Sequence, residues 1–165
     1  MSKDQVSTAE KVRDTIYAAC IALDDQQWMD WIDLCDDDFQ YAIKAFSPEI
    51  NTDMIYHAGN RDHMEALVKM LPKHNSDHSP LNRHCVVYRV KVAEDGKSAS
   101  ARSSLAVYQT MLDGINSHVD AGESRIFIVG SYHDEFSIDG DEVKFTKRDV
   151  RLDTRRLDKG THWPI

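Results

Sequence analysis

The chain has 165 residues, a formal charge of −8 and a pI near 5.4, a size that suits one domain over 1–165 with a core of its own. The acidity argues against nucleic acid or an anionic membrane as partner. No stretch approaches the roughly 18 apolar residues of a membrane span, and the start MSKDQVSTAE has no hydrophobic signal region, so a cytoplasmic protein is expected.

Taken in order, Ser7-Thr8-Ala9-Glu10 has the form of a capping box, and Val12, Ile16, Ala19, Cys20 and Leu23 recur at spacings of three and four. A helix over about 8–24 with one apolar face follows. A short helical piece over 26–34 sets Trp28, Trp31 and Ile32 on neighbouring turns, where large aromatics serve as core or lid. Phe39, Tyr41 and Ile43 alternate with polar neighbours in a first strand over 38–46, ended by Pro48. Asn60 caps a third helix with Met64, Leu67, Val68 and Leu71 as its stripe, and Pro72 is read as its stop.

Beyond the polar segment 73–80 the character of the chain changes. Residues 82–93, 98–112, 124–137 and 142–155 read as four successive strands, joined by Asp95-Gly96, a longer loop over 113–122, and Asp139-Gly140. Gly130 marks a bulge or sharp bend in the third of these. Helices followed by a meander of long strands is an α+β pattern, with helices on one face of a curved antiparallel sheet.

Charge is unevenly placed. Residues 1–143 carry 13 Lys/Arg against 25 Asp/Glu, whereas 144–165 carry seven basic and three acidic residues. The last strand has charges on both parities, which suits a strand with one face against another chain, where the planar fork of arginine holds carboxylates well. The alternative is a solvated strand face.

Metal and nucleophile signatures are weak. His74 and His78 bracket a loop, His84 and Cys85 point to opposite faces of a strand, and Cys20, Cys35 and Cys85 are scattered as reduced thiols would be. No GxGxxG, GxxxxGK or GxSxG occurs. One catalytic reading remains: a dehydratase or isomerase in which Asp36, Asp37, Asp38 or His84 acts as base in a cone pocket beside Tyr41, Tyr88, Tyr108, Tyr132 or His133. Against it, the aspartates form a solvated turn and the tyrosines are amphipathic sheet residues.

Four strings in order are Asn82-Arg83-His84, Ser104-Leu105-Ala106-Val107-Tyr108, Val129-Gly130-Ser131-Tyr132-His133-Asp134, and Lys147 through Arg155. Over about residues 80–156 they resemble the small, or β, subunit of Rieske-type non-haem iron ring-hydroxylating oxygenases, which has the NTF2-like α+β cone fold. The loop Lys73-His74-Asn75-Ser76-Asp77-His78 is similar to the methanesulfonate-type monooxygenase branch. The resemblance implies a non-catalytic subunit of a mono- or dioxygenase that holds no cofactor itself. The Rieske 2Fe–2S cluster and the mononuclear non-haem iron would lie on the large (α) subunit, in an assembly of three large and three small subunits that also brings copies of this chain together. Consistent with this, no cysteine here has a histidine one to three places after it. The expected subunit contacts are Arg148, Arg151, Asp153, Arg155 and Trp163, the last within the tail Gly160-Thr161-His162-Trp163-Pro164-Ile165.

Overall fold

The computed structural model describes residues 3–74, 77–112, 121–155 and 163–165. Three helices, α1 (Lys3–Asp24), α2 (Trp28–Asp33) and α3 (Arg61–His74), accompany six strands: β1 (Cys35–Ser47), β2 (Thr52–Asn60), β3 (Leu81–Val92), β4 (Ser98–Thr110), β5 (Ser124–Asp139) and β6 (Glu142–Leu152). The strands form one sheet in the order β2-β1-β6-β5-β4-β3. All neighbours are antiparallel except β1 and β6, which run parallel. The α+β architecture is as the sequence indicates, but the sheet is mixed, and β2 carries no clear alternation to announce it.

The hairpins follow from turn chemistry. At Asp139↔Glu142 a two-residue loop turns the chain with Gly140 at φ +61°, a conformation that costs glycine nothing. At the β3–β4 turn Gly96 has φ +69°, and the Lys97 amide donates to Asp95 Oδ1 at 2.9 Å. Gly130 is not at a bulge. The register shifts at Val87/Arg89, Val107/Tyr108 and Glu135/Phe136, and Gly130 serves close approach instead: a Cβ there would stand 2.2 Å from the Arg151 carbonyl oxygen of β6.

Helix ends differ from expectation in two places. α1 already begins at Lys3, so Ser7 and Glu10 lie inside it and Glu10 pairs with Arg13 one turn on, at 2.6 Å. α3 starts where Asn60 Oδ1 accepts the His63 amide at 3.0 Å, but it runs through Pro72 to His74. A proline in the last turn sacrifices one backbone hydrogen bond without disrupting the stripe of Met64, Val68 and Leu71 beneath.

The helices cover one face of the sheet, α1 against β3, β4 and β6, and α3 against β1 and β2. Between them lies the core, in which Trp31 packs edge-on against Phe39 and Tyr41 at ring separations of 6.2 and 6.0 Å. Among the described residues no helix covers the opposite face of the sheet.

Candidate functional site

The core-facing residues of β5 and β6 are not all apolar. Asp134 stands opposite Arg148, and both side chains are fully buried. Arg148 Nε donates to Asp134 Oδ1 at 2.9 Å and Nη2 to Oδ2 at 2.8 Å. The guanidinium lies 4.0 Å over the Tyr132 ring and 4.4 Å over Phe145, so its charge is met by a carboxylate in its plane and aromatic faces around it. Burial pushes the Asp134 carboxyl above its ordinary range against the pull of Arg148. Burial also opposes the charge on Arg148, but the Asp134 carboxylate outweighs it and keeps the guanidinium protonated.

This corrects the assignment of Arg148 as a subunit contact. It offers no surface to a partner, because the two inward charges of the hairpin neutralise each other. Trp163 also turns inward. It is 5% exposed and meets Trp28 edge-on at 5.6 Å, while Arg83 Nη2 donates to the Pro164 carbonyl at 2.6 Å and the Ile165 amide donates to the Tyr41 hydroxyl at 2.8 Å. The tail 163–165 is thus docked on its own chain; Gly160, Thr161 and His162 lie outside the described residues, as do Asn75 and Ser76. Arg83 in turn is held by Asp24 of α1 at 2.6 Å.

The catalytic reading finds no base in place. Asp36 accepts from the Ser137 hydroxyl at 2.8 Å and from the Asp38 amide at 3.2 Å, and the Ser137 bond holds its carboxyl below the usual range. Asp37 and Asp38 are exposed, and His84 stands exposed against the edge of Tyr108, 4.8 Å between rings. Around Tyr132 the interior is filled by Arg148, Phe136 and Phe145. A cavity of about 260 Å³ does open between α3 and β1, lined by Tyr41, Tyr56, His57, Met64 and the tail's Trp163 and Pro164; no single spacing in the sequence announces it.

Among the described residues no three of His, Cys, Asp and Glu gather to hold a metal. The thiols do not fit a Rieske cluster, since Cys20 and Cys85 are free thiols that share a hydrogen bond between α1 and β3, and Cys35 donates to the Trp31 carbonyl at 3.5 Å.

The open face of the sheet is charged. Arg151 meets Asp53 at 3.2 Å, Lys44 meets Asp149 at 3.1 Å, and Lys147 meets Glu135 at 3.4 Å. Arg155, past the end of β6, meets Glu49 at 2.6 Å. Arg151 and Arg155 remain 43% exposed, and Asp153 is exposed. Exposed apolar residues, among them Val86, Tyr88, Ile126 and Val129, lie on β3 and β5.

Residues 4–149 match the model of the SnoaL-like domain. The chain belongs to the SnoaL-like domain family. Within that family it is 56% identical, over 95% of its length and 87% of the relative's, to the methanesulfonate monooxygenase hydroxylase subunit beta of Methylosulfonomonas methylovora. It is 30% identical to the 2-aminobenzenesulfonate 2,3-dioxygenase subunit beta of an Alcaligenes species, over 98% of this chain and 99% of that one. Among solved structures, the beta subunit of a proposed aromatic-ring-hydroxylating dioxygenase from Novosphingobium aromaticivorans superposes with a TM-score of 0.74 at 26% identity, covering 94% of both chains. A hexachlorocyclohexane dehydrochlorinase from Novosphingobium barchaimii shares the SnoaL-like fold at a TM-score of 0.63 and 15% identity, covering 98% of this chain and 97% of that one. The fold thus occurs both in oxygenase beta subunits and in a dehydrochlorinase, and the 56% identity is to a beta subunit.

Proposed function

We propose that this chain is the β subunit of a multicomponent sulfonate or aromatic-ring oxygenase of the Rieske type, an assembly component that supports an iron-bearing large subunit and has no turnover of its own. The observation that carries the reading is the 56% identity to a methanesulfonate monooxygenase beta subunit across 95% of this chain. Two structural facts support it. Around Tyr132 the interior is occupied by an ion pair and aromatic rings, and of the candidate bases Asp36 is bonded to Ser137 while Asp37, Asp38 and His84 are exposed. The open face of the sheet carries charged and apolar side chains that are exposed among the described residues, the mixture typical of a protein interface.

On this reading the 2Fe–2S cluster and the mononuclear iron reside on the large subunit, the assembly holds three large and three small subunits, and it works in the cytoplasm. Arg151, Asp153 and Arg155 are the contact residues retained from the sequence. The test is co-expression with the large subunit followed by gel filtration and an oxygen-uptake assay. The two chains should co-elute and consume oxygen with substrate, whereas this chain alone should be inert. Turnover by the isolated chain, or failure to co-elute at low salt, overturns the reading.

A further inference from the structure

Among the described residues the basic side chains at the end of the sequence, Lys144, Lys147, Arg148, Arg151 and Arg155, each meet a carboxylate of this chain, and unpaired cations lie on β3 and β4. Arg89 and Lys91 on β3 and Arg102 on β4 are exposed. Among the described residues none of the three has a carboxylate within ion-pairing distance, although Arg151, Arg155, Lys44, Lys147 and Arg148 each have one. They line a groove of about 380 Å³ on the open face, together with Ser100, His133, Glu135, Lys147 and Asp149. The two outward carboxylates of that groove, Glu135 and Asp149, are already engaged by Lys147 and Lys44.

Register makes the arrangement costly for the isolated chain. Arg89 is the direct cross-strand partner of Arg102, and Arg102 is that of His133. Like charges set opposite one another on a sheet repel. His133 feels this: burial first, then Arg102 and Arg151, hold its imidazole below the ordinary range. Two arginines facing each other, with no carboxylate of the described residues paired to either, form a site complementary to carboxylate, each with a planar fork of N–H donors to offer.

On the reading of this chain as a β subunit, we infer that the β3–β4 face is where an acidic segment of the large subunit docks, placing at least two carboxylates on Arg89, Lys91 and Arg102. Spacing favours a protein segment over a single small anion. Arg89 and Lys91 are two residues apart on one face, roughly 7 Å, and Arg102 lies on the neighbouring strand. Val86 at 55% and Tyr88 at 67% exposure continue the surface along β3, giving the aromatic and apolar ground that a protein partner buries beside its charges.

The test uses the co-expressed complex of the two full chains, with dissociation followed by gel filtration as salt is raised. Arg102→Glu should weaken assembly at least tenfold and the triple change Arg89→Glu, Lys91→Glu, Arg102→Glu at least a hundredfold. Lys73→Glu on α3, an equal charge change on the other side of the molecule, should stay within twofold. The isolated Arg102→Glu variant should melt no lower than the wild type, since that single change turns the Arg89–Arg102 repulsion into an attraction. A wild-type chain that never co-elutes sinks the β-subunit reading and this site with it. If the wild type co-elutes and the triple variant does so to the same salt concentration, the reading stands and the site is wrong. Self-association of the wild type alone, abolished by the same three changes, would assign the face to a second copy and also overturn the inference.

Discussion

Asp134 and Arg148 face each other across β5 and β6, and Arg148 donates two hydrogen bonds to the Asp134 carboxylate with both side chains wholly out of water. Removing one partner leaves the other as a buried, unpaired charge, which typically costs about 3–5 kcal/mol, whereas replacing both with apolar groups of similar size is often neutral or stabilising. Urea unfolding of the isolated chain should therefore show Arg148→Met losing about 3–5 kcal/mol and the pair Asp134→Leu with Arg148→Met recovering most of it. A single variant within about 1 kcal/mol of wild type would mean the pair does not organise the interior.

Gly130 offers a second check on the same two strands. A methyl group at this position would lie 2.2 Å from the backbone oxygen of Arg151, and a backbone atom cannot rotate aside as a side chain can. Gly130→Ala should force β5 and β6 apart and cost about 1–3 kcal/mol, the usual range for overpacking, with amide exchange accelerated at Leu152 opposite it. Unchanged exchange along β6 would contradict the close approach.

A pH effect follows from the pair outside the core. The hydrogen bond from Arg155, with a second from Ser47, lowers Glu49 from an ordinary 4.5 to about 2. A carboxyl lowered on folding contributes stability that is present above pH 4.5 and is lost as pH falls toward 2. Titration of the Glu49 side chain by NMR should show its midpoint near 2 in the wild type and back near 4.5 in Arg155→Ala with Ser47→Ala. A wild-type midpoint near 4.5 would show that Arg155 swings free in solution, leaving its charge unengaged.

How much of this was legible depended on what each feature needed. The helices, β1 and the four long strands followed from periodicity and turn residues, because Gly96 and Gly140 adopt the positive φ that their places demand. The Arg89–Arg102 opposition was also countable, since the β3–β4 ladder runs without a shift from its turn to those residues. Asp134–Arg148 was not. Counting back from Gly140-Asp141 without a bulge sets Asp134 opposite Lys147, and the shift at Glu135/Phe136 is what brings Arg148 there instead. Charges on both parities of β6 therefore looked like a strand between two chains, when half of them were answering the neighbouring strand. β2 was missed because its exposed and half-buried positions do not alternate cleanly along an edge strand. The docked tail depends on Tyr41 and Arg83, both distant in sequence, and no local pattern announces a contact of that kind.

Trp163 distinguishes an internal tie from a docking residue. Its ring packs against Trp28 and helps line the cavity beside Tyr41 and Met64. Truncating a large buried aromatic typically costs about 3–5 kcal/mol, and because this one sits at the end of the chain over a space already partly open, about 2–3 kcal/mol is expected for Trp163→Ala in the isolated protein. The neighbouring Trp28 should become more accessible, so acrylamide should quench the remaining indole fluorescence more strongly. A contact residue would behave oppositely: the isolated variant would unfold like the wild type, its quenching would be unaltered, and the loss would appear only when the large subunit was added. If the isolated chain is indifferent to the change, the tail leaves its own chain in solution and Trp163 returns to the interface.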